Sequence, residues 1–62
     1  MQSLPRLKEH RRRRGLTQEE LALLSGVSRP TIAFLETTQR QATPLTTRRL
    51  AKALKVKPED LR

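Results

Sequence analysis

The stretch Leu16–Glu36, which reads LTQEELALLSGVSRPTIAFLE, decides the fold of this chain. Thr17 and Glu20 match a capping box, in which each side chain accepts a hydrogen bond from the other residue's backbone N–H at a helix start. The apolar residues that follow this start at helical spacing, with one just ahead of it, are Leu16, Leu21 and Leu24. The pattern therefore predicts a short amphipathic helix over residues 18–25, with these leucines on its buried face.

A second short helix is predicted directly after the first. Gly26 is a natural stop, because a residue without a Cβ adopts positive φ at no steric cost. Ser28 can cap a helix over residues 29–36, in which Pro30 is tolerated because the first-turn N–H groups lack helical partners. The residues expected on its buried side are Ile32 and Leu35. Two short helices joined across a glycine are typical of a helix-turn-helix.

The composition points to one small helical domain over residues 1–62. Only 34% of the residues are hydrophobic and 2% are aromatic, so Leu, Ile, Val and Ala must fill the core. The net charge of +8 favours polyanionic partners, and nucleic acid is the leading candidate. No secretion signal or membrane span is evident, and we expect a cytoplasmic, nucleoid-associated protein with no membrane partner. The absence of cysteine excludes disulfides and thiolate metal sites.

Helical periodicity and proline positions predict three further helices. Pro5 suits a first helical turn, and Gly15 ends that helix. Pro44 lies just before another helix, and Pro58 opens a last short one. The three helices are expected over residues 5–14, 46–54 and 58–61. The polar segment 37–43 has no period and is predicted to be a loop.

The central stretch resembles the helix-turn-helix of the Cro/repressor-type family of bacterial and phage regulators, also called the xenobiotic-response-element family. The matching residues are Gln18, Leu21, Ala22, Gly26, Val27, Ser28, Ile32, Leu35 and Glu36. The later segment TRRLAKALKVKPEDL resembles the family's fourth and fifth helices, so the resemblance covers nearly the whole chain. It implies an all-α, compact, five-helix, lambda-repressor-like fold.

The resemblance also implies sequence-specific binding of double-stranded DNA, with the recognition helix Ser28–Glu36 in the major groove, and regulation of transcription. The chain would be a regulator, or an isolated or engineered DNA-binding module. Arg29 is the best candidate for reading a base, because its fork can bind guanine O6 and N7 together. Gln18 resembles the family's phosphate contact. The candidate DNA-binding residues are Thr17, Gln18, Ser28, Arg29, Pro30, Thr31, Phe34, Thr38, Gln39, Arg40 and Gln41.

The resemblance implies one ion pair, and two further details of this interface carry alternatives. In the family, the arginine four residues before the glycine pairs with the glutamate that ends the recognition helix, here Arg11 and Glu36. The basic run at residues 11–14 is either a solvated helix end or a phosphate-facing patch. Phe34 either presses on thymine methyl groups or folds back as a satellite of the core.

No residue pattern supports an enzyme. His10 is the only histidine, and we expect it to be partly exposed at the edge of the core, without a catalytic or metal-binding role. No cofactor and no small-molecule ligand are expected. A homodimer on DNA fits the family, although no dimerisation segment is visible. The alternative functions are a nonspecific nucleic-acid binder and a protein-interaction or antitoxin-type module that displays Leu23 and Phe34.

Overall fold

A computed structural model describes residues 2–37 and 41–62 of the chain. The described residues form four α-helices, two very short strands and a final 3-10 helix. In chain order these are β1 (Gln2–Ser3), α1 (Leu7–Arg13), α2 (Gln18–Ser25), α3 (Arg29–Thr37), β2 (Gln41–Ala42), α4 (Pro44–Leu54) and the 3-10 helix Pro58–Leu61. The predicted helical class is confirmed, but the last of the five expected helices is a 3-10 helix.

Helix α2 has the predicted bounds, because chemical signals mark both of its ends. The Glu20 N–H donates to Thr17 Oγ1 over 3.0 Å, and the Thr17 N–H donates to Glu20 Oε1 over 2.9 Å. Gly26 follows the helix at φ 73°, and its N–H donates to the Ala22 carbonyl oxygen over 2.9 Å. The capping box and the glycine stop are therefore both confirmed.

The predicted starts of α1 and α4 were wrong. Helix α1 begins at Leu7 rather than Pro5, because Leu4 is buried in the core and its carbonyl accepts from the Leu7 N–H over 3.1 Å. Helix α4 begins at Pro44 rather than at residue 46. Its N-cap is Thr43, whose Oγ1 accepts from the Thr46 N–H over 3.2 Å. Helix α3 continues to Thr37, one residue beyond its expected end.

A small antiparallel sheet lies where a loop was expected. Gln2 is paired with Ala42, and Ser3 is paired with Gln41. Gln41 is therefore a strand residue instead of a loop residue. The pairing joins the amino-terminal end of the described chain to the segment that leads into α4.

The core is formed by side chains from all the helices. The buried apolar residues are Leu4, Leu7, Leu21, Val27, Ile32, Leu35, Ala42, Leu50, Ala51, Leu54 and Leu61. Leu24 was predicted to join this group, but it is 63% exposed. Leu21 is the fully buried leucine of α2, whereas Leu24, one turn later, borders a groove beside α4. The predicted apolar stripe of α2 therefore ends before Leu24.

A polar network joins α1, α2 and α3. Arg11 donates from Nε to Glu36 Oε2 over 2.7 Å and from Nη2 to Oε1 over 3.0 Å, which confirms the expected bidentate pair. Arg11 Nη1 also donates to the Leu16 carbonyl oxygen over 2.7 Å, and Gln18 Nε2 donates to Glu36 Oε1 over 3.2 Å. The hydrogen bonds to Glu36 raise the pKa of the Arg11 guanidinium. The Glu36 side chain is only 3% exposed, and its carboxylate links the three helices through these hydrogen bonds.

We predict that Glu36→Gln lowers the free energy of unfolding by about 2 kcal/mol, because the mostly buried Arg11 guanidinium loses the charged acceptor of its two hydrogen bonds. The matched control is Glu9→Gln, which removes the exposed Arg13–Glu9 pair, whose side chains are 66% and 49% exposed. That control is expected to cost less than about 0.5 kcal/mol. Urea unfolding of the two variants measures both quantities. Equal losses in the two variants would show that the Glu36 pair has no special role.

We also predict a pH dependence from the capping box. The hydrogen bond from the Thr17 N–H lowers the pKa of Glu20 below its ordinary value of 4.5. The charged carboxylate therefore stabilises the folded state above pH 4.5, and this contribution is lost as the pH falls through the lowered pKa. The Tm difference between the wild type and Glu20→Gln should be largest near neutral pH and should shrink in acid. A difference independent of pH would contradict this assignment.

Candidate nucleic-acid interface

The two helix starts of the helix-turn-helix present polar residues at the surface. Thr17 precedes α2, and Ser28 precedes α3. Along α3, Arg29, Pro30 and Thr31 are exposed. The opposite side of the same helix is anchored in the core by two residues that are 0% and 6% exposed, Ile32 and Leu35. Helix α3 therefore has one packed side and an accessible amino-terminal half.

Ser28 and Thr31 form a paired hydroxyl cap at the start of α3. Their side-chain oxygens lie 2.7 Å apart, and the Thr31 N–H donates to Ser28 Oγ over 3.4 Å. One hydroxyl donates its hydrogen to the other, so that the hydrogen of the accepting hydroxyl is not used in this pair. That hydrogen, together with the Arg29 N–H, provides donors suited to an anionic oxygen, whereas Pro30 has no N–H and the Thr31 N–H already donates to Ser28 Oγ.

Gln18 is half-buried, and one side of its amide is held by Glu36. A carboxylate only accepts hydrogen bonds, so the atom that faces it must be the amide nitrogen. This nitrogen carries a second hydrogen, which could donate to a phosphate oxygen. The amide oxygen cannot, because an ionised phosphate oxygen is itself an acceptor. Sequence reasoning had missed this bond, because 18 residues separate its partners and no local pattern predicts it.

Arg29 is exposed at the first position of α3. No carboxylate among residues 2–37 and 41–62 forms an ion pair with it, since the pairs found there are Arg11–Glu36 and Arg13–Glu9. Its guanidinium is therefore available to an external acceptor. Arg11 differs from Arg29, because the Arg11 guanidinium already donates hydrogen bonds to Glu36 and to the Leu16 carbonyl oxygen.

Phe34 is 45% exposed and lies outside the buried cluster. Part of its ring is therefore exposed on the surface of α3, three residues after Thr31. Two apolar residues of the helix are therefore at the surface, Pro30 and Phe34. Such surfaces can contact thymine methyl groups, although they cannot form the hydrogen bonds that distinguish most base pairs.

The candidates that follow α3 are only partly described. Thr38, Gln39 and Arg40 lie outside the described residues. Gln41 is exposed in strand β2. Because β2 is paired with β1, the backbone at Gln41 is tied to the amino-terminal strand.

The arginines of the basic run at residues 11–14 differ in burial and in their ion-pair partners. Arg11 is buried in the network with Glu36, and Arg13 donates to Glu9 Oε1 over 3.0 Å. Arg12 and Arg14 are exposed and have no ion pair within the described residues. His10 is partly exposed, as expected.

Two other features are absent from the part of the chain that the structure describes. In residues 2–37 and 41–62, no three His, Asp or Glu side chains lie together in a way that could hold a metal ion. No helix in this part of the chain is long and apolar enough to cross a membrane.

Comparisons with known proteins agree with this geometry. Residues 7–61 match the family model described as helix-turn-helix. The chain is 46% identical over 48 residues to an uncharacterized HTH-type transcriptional regulator of Methanothermobacter thermautotrophicus, and this match covers 77% of the chain and 70% of the relative.

A solved structure has the same fold over most of its length. It is the restriction-modification controller protein C.AhdI from Aeromonas hydrophila, with a TM-score of 0.85 and 40% identity. The superposition covers 92% of the present chain and 86% of that protein. The chain therefore belongs to the helix-turn-helix family, and this membership supports sequence-specific DNA binding and regulation of transcription as its function.

Proposed function

We propose that this protein regulates transcription by placing the amino-terminal half of α3 in the major groove of a specific DNA site. The observation that supports this proposal best is the division of α3 into two sides. Ile32 and Leu35 are buried, while Arg29 is exposed on the same helix without an ion pair among the described residues. A helix fixed in this way can enter the groove, which is wide enough to admit an α-helix.

Electrostatics supports the same orientation. Helix α3 begins at the hydroxyl cap Ser28 and has no acidic residue in its first turn, so the positive end of its dipole favours a nearby phosphate. The net charge of +8 adds a general attraction to DNA that salt weakens. The helix starts would set the position on the backbone, while base contacts would supply specificity.

Within this proposal, the exposed residues of α3 have different tasks. Arg29 reads guanine through O6 and N7, and Thr31 contacts a base or a phosphate. Pro30 and Phe34 contact thymine methyl groups or sugar edges. Gln18 donates its remaining amide hydrogen to a phosphate. The segment after α3 supplies further backbone contacts from Thr38, Gln39, Arg40 and Gln41.

We further propose that two copies bind one operator. Helix α3 has nine residues and therefore spans about 13 Å, so one copy reads only a few base pairs. A second copy on a half-site one helical turn away would double the read sequence, as is common for helix-turn-helix proteins. The protein would then be cytoplasmic and associated with the nucleoid. The likeness to a restriction-modification controller protein supports a regulatory role rather than a catalytic one.

We predict that Arg29→Ala changes the motif recovered by binding-site selection from a randomised duplex pool. The lost guanine contact should weaken binding to the wild-type motif about 5- to 150-fold, which corresponds to roughly 1–3 kcal/mol. The matched control is Lys52→Ala, which removes one exposed positive charge from α4. This control should recover the wild-type motif. If Arg29→Ala also recovers the wild-type motif, Arg29 does not read a base.

We predict a different result for Gln18→Ala. The amide is proposed to contact a phosphate, so its loss should weaken binding to the selected duplex and to a scrambled duplex by a similar factor of about 2 to 10. Because glutamine is uncharged, the slope of log affinity against log salt should not change. Fluorescence anisotropy over a salt series measures both effects, and circular dichroism checks the fold. A changed selected motif would instead make Gln18 a base reader.

A further inference from the structure

A groove of about 470 Å³ lies between the end of α2 and one side of α4. It is lined by Leu24, Ser25, Arg49, Lys52, Ala53 and Lys55. We propose that this groove, the α2–α4 groove, docks an acidic segment of another protein that also carries apolar side chains. The proposal goes beyond DNA binding, because none of the residues proposed to contact DNA lines the groove.

Three cations form one side of the α2–α4 groove. Arg49, Lys52 and Lys55 are spaced three residues apart, so they follow one side of α4 and its C-cap. All three are exposed. Neither ion pair found among residues 2–37 and 41–62 involves any of them. This positive row therefore forms no ion pair within the described part of the chain and is complementary to a carboxylate-rich partner.

The α2–α4 groove also has apolar lining residues. Leu24 is 63% exposed there, and Ala53 is partly buried against the core. An exposed leucine gains from contact with an apolar side chain of a partner, because that contact removes its surface from water. A partner that carries both carboxylates and apolar side chains would match the cations and the apolar lining residues together.

Other occupants fit the α2–α4 groove less well. A second copy of the chain would bring its own net charge of +8. It would also offer few free carboxylates, because four of its six acidic residues already bond within the fold: Glu9, Glu20, Glu36 and Asp60. The phosphate backbone of DNA would match the cations, but it would leave Leu24 without apolar contacts. An acidic and apolar peptide segment therefore matches the groove best.

The test uses a fluorescein-labelled synthetic helix of about 16 residues, with glutamate and leucine on one face at helical spacing. Two matched peptides replace the leucines with serine or the glutamates with glutamine. We expect the first peptide to bind saturably and both matched peptides to bind at least about tenfold more weakly. Fluorescence anisotropy gives the affinities. The absence of saturable binding by the first peptide would overturn the proposal.

Variants of the protein locate the binding. Lys52→Glu and Leu24→Ser change exposed residues of the groove, and each should weaken binding of the acidic peptide at least about fivefold. The control is Arg48→Glu, which makes the same charge change on α4 outside the groove lining. It should change the affinity less than about twofold. Equal weakening by Lys52→Glu and Arg48→Glu would show general attraction to a basic protein and would overturn the assignment.

Two further measurements separate this proposal from the proposed function. Leu24→Ser should keep the wild-type affinity for the selected DNA duplex, whereas Arg29→Ala should lose it and still bind the acidic peptide. An unselected duplex should not displace the peptide from the groove. Displacement that depends on Lys52 would make the groove a second nucleic-acid site and would overturn the peptide assignment.

Discussion

The buried carboxylate of Glu36 is the constraint on which the rest of the structure depends. It accepts two hydrogen bonds from Arg11 and one from Gln18, and so it joins the first three helices. None of these helices exceeds nine residues, and helices of that length are marginal in isolation. Their relative positions must therefore come from packing and from this network. The position of α3 is fixed from inside the protein, where no DNA contact is required.

This arrangement explains why the arginines and the glutamine of this small region differ in their hydrogen-bond partners. Arg11 has a counter-charge and is 9% exposed, whereas Arg29 is exposed and has no ion pair within the described residues. Gln18 lies between these cases, because one amide hydrogen serves Glu36 and the other remains available. The fold thus uses some of these polar side chains to hold the helices and leaves the Arg29 guanidinium exposed. A residue's type alone does not reveal which task it has.

Much of the fold could be predicted because several signals are local and chemical. Thr17, Glu20 and Gly26 define both ends of α2. Thr17 and Glu20 accept hydrogen bonds from backbone N–H groups at the helix start, and Gly26 adopts positive φ without a steric cost. Other features depend on distant parts of the chain. The first helix starts late because Leu4 enters the core, and two-residue strands have no period to detect. For the candidate site, the sequence identifies exposed donors on α3, but hydrogen-bond partners such as that of Gln18 require the folded structure.

Leu24 lies at the α2–α4 groove, a second surface of the molecule, and not in the core. Helical spacing placed it on the buried face of α2, but its side chain borders the α2–α4 groove instead of entering the core. A leucine in that position gains little unless another apolar group covers it. The adjacent row of Arg49, Lys52 and Lys55 restricts what that group can be, because burying the leucine beside three cations favours a partner that also brings negative charge. When α3 lies in the major groove, the proposed DNA contacts do not involve Arg49, Lys52 or Lys55. The groove would then stay available to an acidic protein segment while the regulator is bound to its site.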